Sequence, residues 1–232
     1  MKRSNGKINM DLQKKYDPSY YGGVITRFFP WAPKIWASWV LRSISKNEGI
    51  EPKILDVGCG PGQVTLSVAA NCRSLGINPK IIGVDMLDSA VDLASERKRD
   101  LLVDSEVQFH LGNATALPFH DNEFDLVMAS MLFPFLDELE LTTFFNEVYR
   151  VLKPKGRFHF VHPNRCRLNW LVALIIVRNR RDYELSFVEH SYTPKEICEL
   201  VNQSRLSRSN KRFNLRWFGL VGEVYGYEVA KQ

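Results

Sequence analysis

Short apolar segments alternating with longer amphipathic ones predict an α/β protein: a seven-stranded, mostly parallel sheet with helices on both faces and an antiparallel hairpin at its C-terminal end. Three observations carry this reading. Five strand-like segments between residues 53 and 161 are separated by connections long enough for crossover helices, as parallel pairing requires. The first strand-to-helix connection is a glycine-rich turn. Two last strand-like segments flank Gly219–Gly222, a link short enough for a hairpin.

Composition narrows the class before any motif is weighed. The chain has 232 residues, 45% hydrophobic and 25% charged, which excludes disorder as its main state. This length suits one core domain with a lid. Cys59, Cys72, Cys166 and Cys198 are far apart and form no CxxC pair. That spacing argues against a structural metal and a disulfide framework, and favours a reducing, cytoplasmic setting. The N-terminal MKRSNGKINMDLQKK lacks the apolar centre of a signal peptide. The longest strongly apolar run, Trp170–Val177, is eight residues, against the roughly 20 that a membrane-spanning helix needs.

The elements follow in order. Residues 1–15 form a polar tail, and 16–45 are rich in aromatics. A helix is expected near Pro33, with Ile35, Trp36, Trp39, Val40 and Ile44 on one face. Residues 1–45 are thus a tail and aromatic cap, and 46–232 the main domain. Lys53–Val57 is a buried strand, and a helix runs from Gln63 to about Leu75. Lys80–Asp85 is the second strand, and Ser89–Lys98 a helix with Val91, Leu93 and Ala94 as its apolar positions. Val107–Leu111 and Phe124–Ser130 are the next strands. Leu141, Phe144, Phe145, Val148 and Leu152 keep the i, i+3, i+4, i+7 spacing of a helix face. Lys153-Pro154-Lys155 stops that helix, and Arg157–Val161 is the fifth strand. A lid-like insertion covers about 163–192. Thr193, Pro194 and Glu196 spell a capping box, and Phe213–Phe218 and Val224–Ala230 close the chain.

The chemistry concentrates at Asp56-Val57-Gly58-Cys59-Gly60-Pro61-Gly62. Gly58, Gly60 and Gly62 permit a tight turn and close approach of a ligand. Their spacing is G-x-G-x-G, whereas a dinucleotide pyrophosphate favours G-x-G-x-x-G. Asp56 would repel a pyrophosphate and suits a positive group, and Pro61 removes one amide donor. Asp85 ends the second strand, where an acid can accept from both hydroxyls of a ribose. Asn113 both donates and accepts, which suits the edge of an adenine. Plainer readings stand beside these: a structural glycine turn, a helix-capping Asp85, a turn-forming Asn113.

In combination these segments resemble the class I S-adenosylmethionine-dependent methyltransferases, in the small-molecule, methyltransferase type 11-like subgroup that includes quinone and lipid methyltransferases. The resemblance rests on ILDVGCGPG (Ile54–Gly62), VDML (Val84–Leu87), GNATALPF (Gly112–Phe119), FDLV (Phe124–Val127) and EVYRVLKPKG (Glu147–Gly156), and spans about 53–161. It implies a Rossmann-like fold and S-adenosylmethionine as cofactor. It implies that Gly58, Gly60 and Gly62 shape the methionine pocket and that Asp56 holds the ammonium, directly or through water. Asp85 would take the ribose, Met86 would pack on adenine, and Asn113 with Ala114 would meet the adenine edge. Ser130 would line the site near the sulfonium, and Tyr21 or its neighbour Tyr20 would close over the cofactor. Asn113 stands where the family more often has Asp.

Methyl transfer from a sulfonium needs a protein base only when the acceptor must lose a proton to become nucleophilic. His162, last in the fifth strand, is the candidate base; a plain rim histidine is the alternative. His159 is deeper and reads as structural, and His190 lies in the lid. Met131–Leu136 holds no group able to take a proton, which points to an apolar acceptor pocket.

Residues 165–216 hold eleven basic and five acidic side chains, more than the whole formal net charge of +5. Within them, Trp170–Val177 is flanked by Arg165, Arg167, Arg178, Arg180 and Arg181. The segment 165–181 can cover the pocket, lie on a membrane surface or hold an anionic headgroup. The function expected is methyl transfer to a small, rather apolar, quinone- or lipid-like acceptor. A nucleic-acid methyltransferase is the alternative, weakened by the absence of an Asn-Pro-Pro-Tyr type motif or an RNA-binding module. A non-catalytic cofactor-binding protein is the third class, opposed by the intact glycine motif.

Overall fold

A computed structural model describes residues 32–42, 51–101, 107–163, 192–215 and 224–231. It divides into two units, Met1–Ala114 and Thr115–Gln232. In the first, runs of β-branched and leucine residues make three strands: β1 (Lys53–Val57), β2 (Lys80–Asp85) and β3 (Val107–Leu111). Their order is β3-β2-β1 and both pairings are parallel. Val57 pairs with Val84, and Asp85 with Leu111, so the carboxyl ends of the three strands lie side by side.

Helices α2 (Gln63–Ser74) and α3 (Asp88–Asp100) follow β1 and β2. The inner face of α3 is made by Ala90 and Ala94, while Val91 and Leu93 are half-exposed. Alanines four apart present a flat, small face that lets the helix lie close to its strands. Helix α1 (Ala32–Leu41) packs on α2. It buries Trp36, Trp39 and Val40 as expected, but Ile35 is 38% exposed and falls outside the inner face. Ile44 lies outside the described residues.

The second unit holds β4 (Phe124–Ser130), β5 (Leu152–Pro163), β6 (Ser207–Leu215) and β7 (Val224–Ala230), in the order β4-β5-β7-β6. The β4–β5 pairing is parallel, and β7 runs antiparallel to both β5 and β6. The expected mostly parallel α/β architecture with a C-terminal antiparallel pair is therefore present. Helix α4 (Glu138–Val151) starts at a capping box the sequence reading passed over: Asp137 Oδ1 accepts from Glu140 N at 2.8 Å, and Glu140 Oε2 from Asp137 N at 2.9 Å. Its face of Leu141, Phe144, Phe145 and Val148 is fully buried. Helix α5 (Pro194–Gln203) carries the expected capping box at Thr193.

Two strands differ in extent from expectation, and Leu152, expected on the helix face, belongs to one of them. β5 begins at Leu152 instead of Arg157, because Lys153–Gly156 is an excursion inside the strand: the register jumps from Phe124↔Leu152 to Leu126↔Arg157. β6 starts at Ser207, six residues before the expected Phe213, because it is laid down by pairing with β7, from Leu215↔Val224 to Ser207↔Ala230. The core of this unit is a cluster of Phe133, Phe144, Phe145, Phe158 and Phe160. Several of its ring pairs meet edge to face, as between Phe133 and Phe145 at 5.5 Å and 84°.

Candidate cofactor-binding site

The glycine turn sits at the carboxyl end of β1, where an open parallel sheet receives ligands. Gly58, Gly60 and Gly62 adopt φ of 69°, 51° and 76°, the left-handed region that side chains disfavour. Every amide in the turn is consumed inside the protein. Gly58 N and Cys59 N donate to Val84 O at 2.8 and 3.0 Å, Gly60 N donates to Asp85 Oδ2 at 2.9 Å, and Gly62 N donates to Cys59 O at 3.0 Å. Pro61 has none to give. The turn's own amides are thus already taken, which agrees with the sequence argument against a dinucleotide.

Two carboxylates complete the turn. Asp56 is 1% exposed; Oδ2 accepts from the Thr65 hydroxyl at 2.6 Å and Oδ1 is buried without a partner. Burial pushes its pKa up to about 7, against the Thr65 hydrogen bond and with a further push from the Asp85 charge. A buried carboxylate oxygen with no donor fits a cationic group such as an ammonium. Asp85 accepts from Gly60 N and, through Oδ1, from Leu87 N at 3.1 Å. Burial raises its pKa too, while those amides pull it down. A carboxylate has about four lone-pair sites, so Asp85 keeps acceptor capacity for hydroxyl groups. Met86, next in the chain, is half-buried.

The third strand joins the same rim: Gly112 N donates to Asp85 O at 2.8 Å, setting the backbone before Asn113 and Ala114 against Asp85. Asn113 is exposed and Ala114 half-buried. The first unit thus brings Asp56, the three glycines, Asp85, Met86, Asn113 and Ala114 onto one rim. These residues fit S-adenosylmethionine: a buried carboxylate oxygen for its ammonium and an acceptor for its ribose.

In the second unit, Ser130 is half-buried at the end of β4 and pairs in register with Val161. His162 does not have the surroundings of a base. It is 2% exposed, its Nε2 accepts from Tyr192 N at 2.9 Å, and burial drives its pKa down to about 3. His159 is fully buried, 3.8 Å from Glu228, which also pairs with Arg157. Tyr20, Tyr21, His190 and most of the lid lie outside the described residues.

Three site features escaped the sequence reading. Thr65, the partner of Asp56, stands nine residues on, and only the helix turn brings it back. Phe109 fills the space over two glycines: a Cβ on Gly83 would meet its ring at 2.6 Å, and one on Gly62 at 2.9 Å. In the second unit, Arg150 and Glu147 clamp the end of the GNATALPF segment. Arg150 donates to Leu117 O at 2.9 Å and Phe119 O at 2.6 Å, while Glu147 accepts from Leu117 N at 2.7 Å. The hydrogen bonds from Arg150 are the main reason the Glu147 carboxyl titrates below its usual range. The signal was the i, i+3 spacing of the two on one helix.

A protein-family model described as a methyltransferase domain matches residues 54–156. Over 193 residues the chain is 36% identical to a demethylmenaquinone methyltransferase of Lactiplantibacillus plantarum, covering 77% of this chain and 79% of that one. The chain belongs to the class I S-adenosylmethionine-dependent methyltransferase family. Another relative in the family, a ubiquinone/menaquinone biosynthesis C-methyltransferase of Rickettsia typhi, is 28% identical over 160 residues, 63% of this chain and 64% of the relative. The chain spans about half the length of other curated relatives it matches. A solved S-adenosylmethionine-dependent methyltransferase from Aquifex aeolicus superposes with a TM-score of 0.66 at 20% identity, over 94% of this chain and 100% of that one, a likeness of fold.

Proposed function

We propose that this chain transfers a methyl group from S-adenosylmethionine to a ring carbon of a small, apolar, quinone-like acceptor in its reduced form. The observation that carries the cofactor half is the turn whose amides are all internally bonded, flanked by the unpartnered Asp56 oxygen and by Asp85. The acceptor half is supported by the names of the relatives and by Met131–Leu136, which offers no proton-taking side chain. When bound, S-adenosylmethionine supplies a methyl already activated on a sulfonium. The chain's own residues then orient and exclude water. The acceptor needs no strong base, because a hydroquinone oxygen already pushes electron density onto the ring carbon. That carbon takes the methyl and the sulfur becomes neutral; the ring proton passes to solvent as the product leaves.

An apolar acceptor partitions into lipid. Among the described residues no helix is long and apolar enough to cross a membrane. Peripheral contact, from the cytoplasmic side, therefore falls to the arginine-flanked 165–181, which lies outside the described residues. Calorimetry with S-adenosylmethionine, followed by turnover of chemically reduced demethylmenaquinone read by mass spectrometry, tests the reading. Binding weakened by Asp85→Ala and a mass gain of one methyl are expected. A folded sample that binds no S-adenosylmethionine would sink it. Co-sedimentation with anionic liposomes, lost on replacing Arg178, Arg180 and Arg181, tests the membrane contact.

A further inference from the structure

The two ring nitrogens of His162 have unlike surroundings. Nε2 accepts the Tyr192 amide at 2.9 Å. Nδ1 is buried with no hydrogen-bond partner. A backbone amide can only donate, so Nε2 must present its lone pair, and the neutral ring then carries its proton on Nδ1. Burial holds the ring in that neutral form at ordinary pH. The result is a fixed, buried N–H with no acceptor among the described residues, a state that costs free energy unless something arrives to accept from it.

The ring is held in place from several sides. Phe133 stacks on it at 5.3 Å and 30°, and the Tyr192 ring lies 5.7 Å away. The Tyr192 hydroxyl donates to Leu136 O at 3.2 Å, tying this residue to the apolar turn after β4. His162 is at the carboxyl end of β5, and β4 ends beside it: Ser130 pairs with Val161, and Met131 N donates to Val161 O at 2.9 Å. Met131 takes φ of 59°, an uncommon conformation for a side-chain-bearing residue. The carboxyl ends of parallel strands are where ligands of such sheets are received.

We propose that the Nδ1–H of His162 is the hydrogen-bond donor for an oxygen of the methyl acceptor. The proposal rests on the quinone reading above and names the group that meets the acceptor's oxygen. No proton changes hands. A neutral donor, held by its neighbours in an apolar setting, fixes where the acceptor's oxygen sits and so orients the ring whose carbon is methylated. The residue thus contributes by what it gives, in contrast to the base expected from its position in the strand.

The test compares wild type with His162→Phe and His162→Gln, using S-adenosylmethionine and reduced demethylmenaquinone. Phenylalanine keeps the ring and loses the donor. Glutamine keeps both functions, its carbonyl for the Tyr192 amide and its NH2 for the acceptor. His162→Phe is expected to keep S-adenosylmethionine affinity within about twofold and to lose roughly 10- to 100-fold in kcat/KM, with His162→Gln recovering most of the loss. In wild type labelled with 15N-histidine, the Nδ1–H resonance should shift when the acceptor is added with S-adenosylhomocysteine present. That readout needs no variant to fold. An unchanged kcat/KM in His162→Phe, or an unmoved Nδ1–H at saturating acceptor, overturns the inference and leaves the quinone reading standing. A wild type that binds S-adenosylmethionine and does not methylate the acceptor overturns that reading, and this inference with it.

Discussion

The Thr65 hydroxyl donates to Oδ2 of Asp56 at 2.6 Å, and the other oxygen of the same buried carboxylate has no partner. One side of the acid is thus held by the protein and the other is left for a ligand. Because burial places its pKa at about 7, the group is part protonated near neutrality. A cationic ligand selects the ionised form, so affinity for S-adenosylmethionine should tighten as pH rises from 5.5 to 7.5, by up to about tenfold per unit below pH 7. The folding sign is opposite. A carboxyl raised above its unfolded value binds a proton in the folded state first, so this group's contribution to stability is full below about pH 4 and is lost as pH rises through 7. Asp56→Asn should flatten both dependences, read by calorimetry and by urea unfolding across that range. A variant whose affinity keeps the wild-type pH slope would show that another group is titrating.

Gly83 is as small as it is because of Phe109. Its added Cβ would sit 2.6 Å from the Phe109 ring and 3.0 Å from Cys59 Sγ. Gly83→Ala should therefore cost about 1–3 kcal/mol in urea unfolding. Phe109→Leu in the same chain should recover part of it. Equal costs in the single and double variants would place the strain elsewhere.

Lys231, just after β7, has a buried ammonium that donates to Asn122 Oδ1 at 2.7 Å, Tyr149 O at 2.8 Å and Leu152 O at 2.7 Å. Lys231→Met keeps the stem and strands three acceptors. A loss of about 2–4 kcal/mol is expected, seen as a fall of several degrees in Tm, with S-adenosylmethionine affinity little changed.

Lys155 is exposed and holds φ of 64° inside the excursion of β5. A side chain there pays a conformational cost that glycine avoids. Lys155→Gly should raise stability by roughly 0.5–1 kcal/mol after glycine's own entropy cost, measured by the urea midpoint.

The strands β1 to β4 and β7 were legible to the residue, since each is a compact run of β-formers between turn signals. β6 was not: Ser207-Arg208-Ser209-Asn210-Lys211-Arg212 has no alternation, and it becomes a strand through its pairing with β7. The inner face of α1 was legible at Trp36, Trp39 and Val40 and missed at Ile35, because periodicity gives spacing but not which neighbour covers each position. In the site, Asp56, Asp85 and the glycines stood out by type and spacing. Phe109 and Thr65 did not, since a ring over a glycine and a hydroxyl one helix turn away are ordinary residues until the chain folds.

By itself, the sequence determined the class of the protein: alternating strand and helix periods, a glycine turn at the first crossover, and an acid at the end of each of the first two flanking strands. These are local patterns, and local chemistry suffices to read them. The tertiary structure decided where the hydrogen-bonding groups go. It spent every amide of the glycine turn internally, left one Asp56 oxygen without a partner among the described residues, and gave His162 Nε2 the Tyr192 amide to accept from. Each outcome depends on partners distant in sequence or on burial: Val84 and Asp85 for the turn, Tyr192 for the histidine. A polar group's role is set by which of its lone pairs and protons are already taken, and only the folded chain takes them.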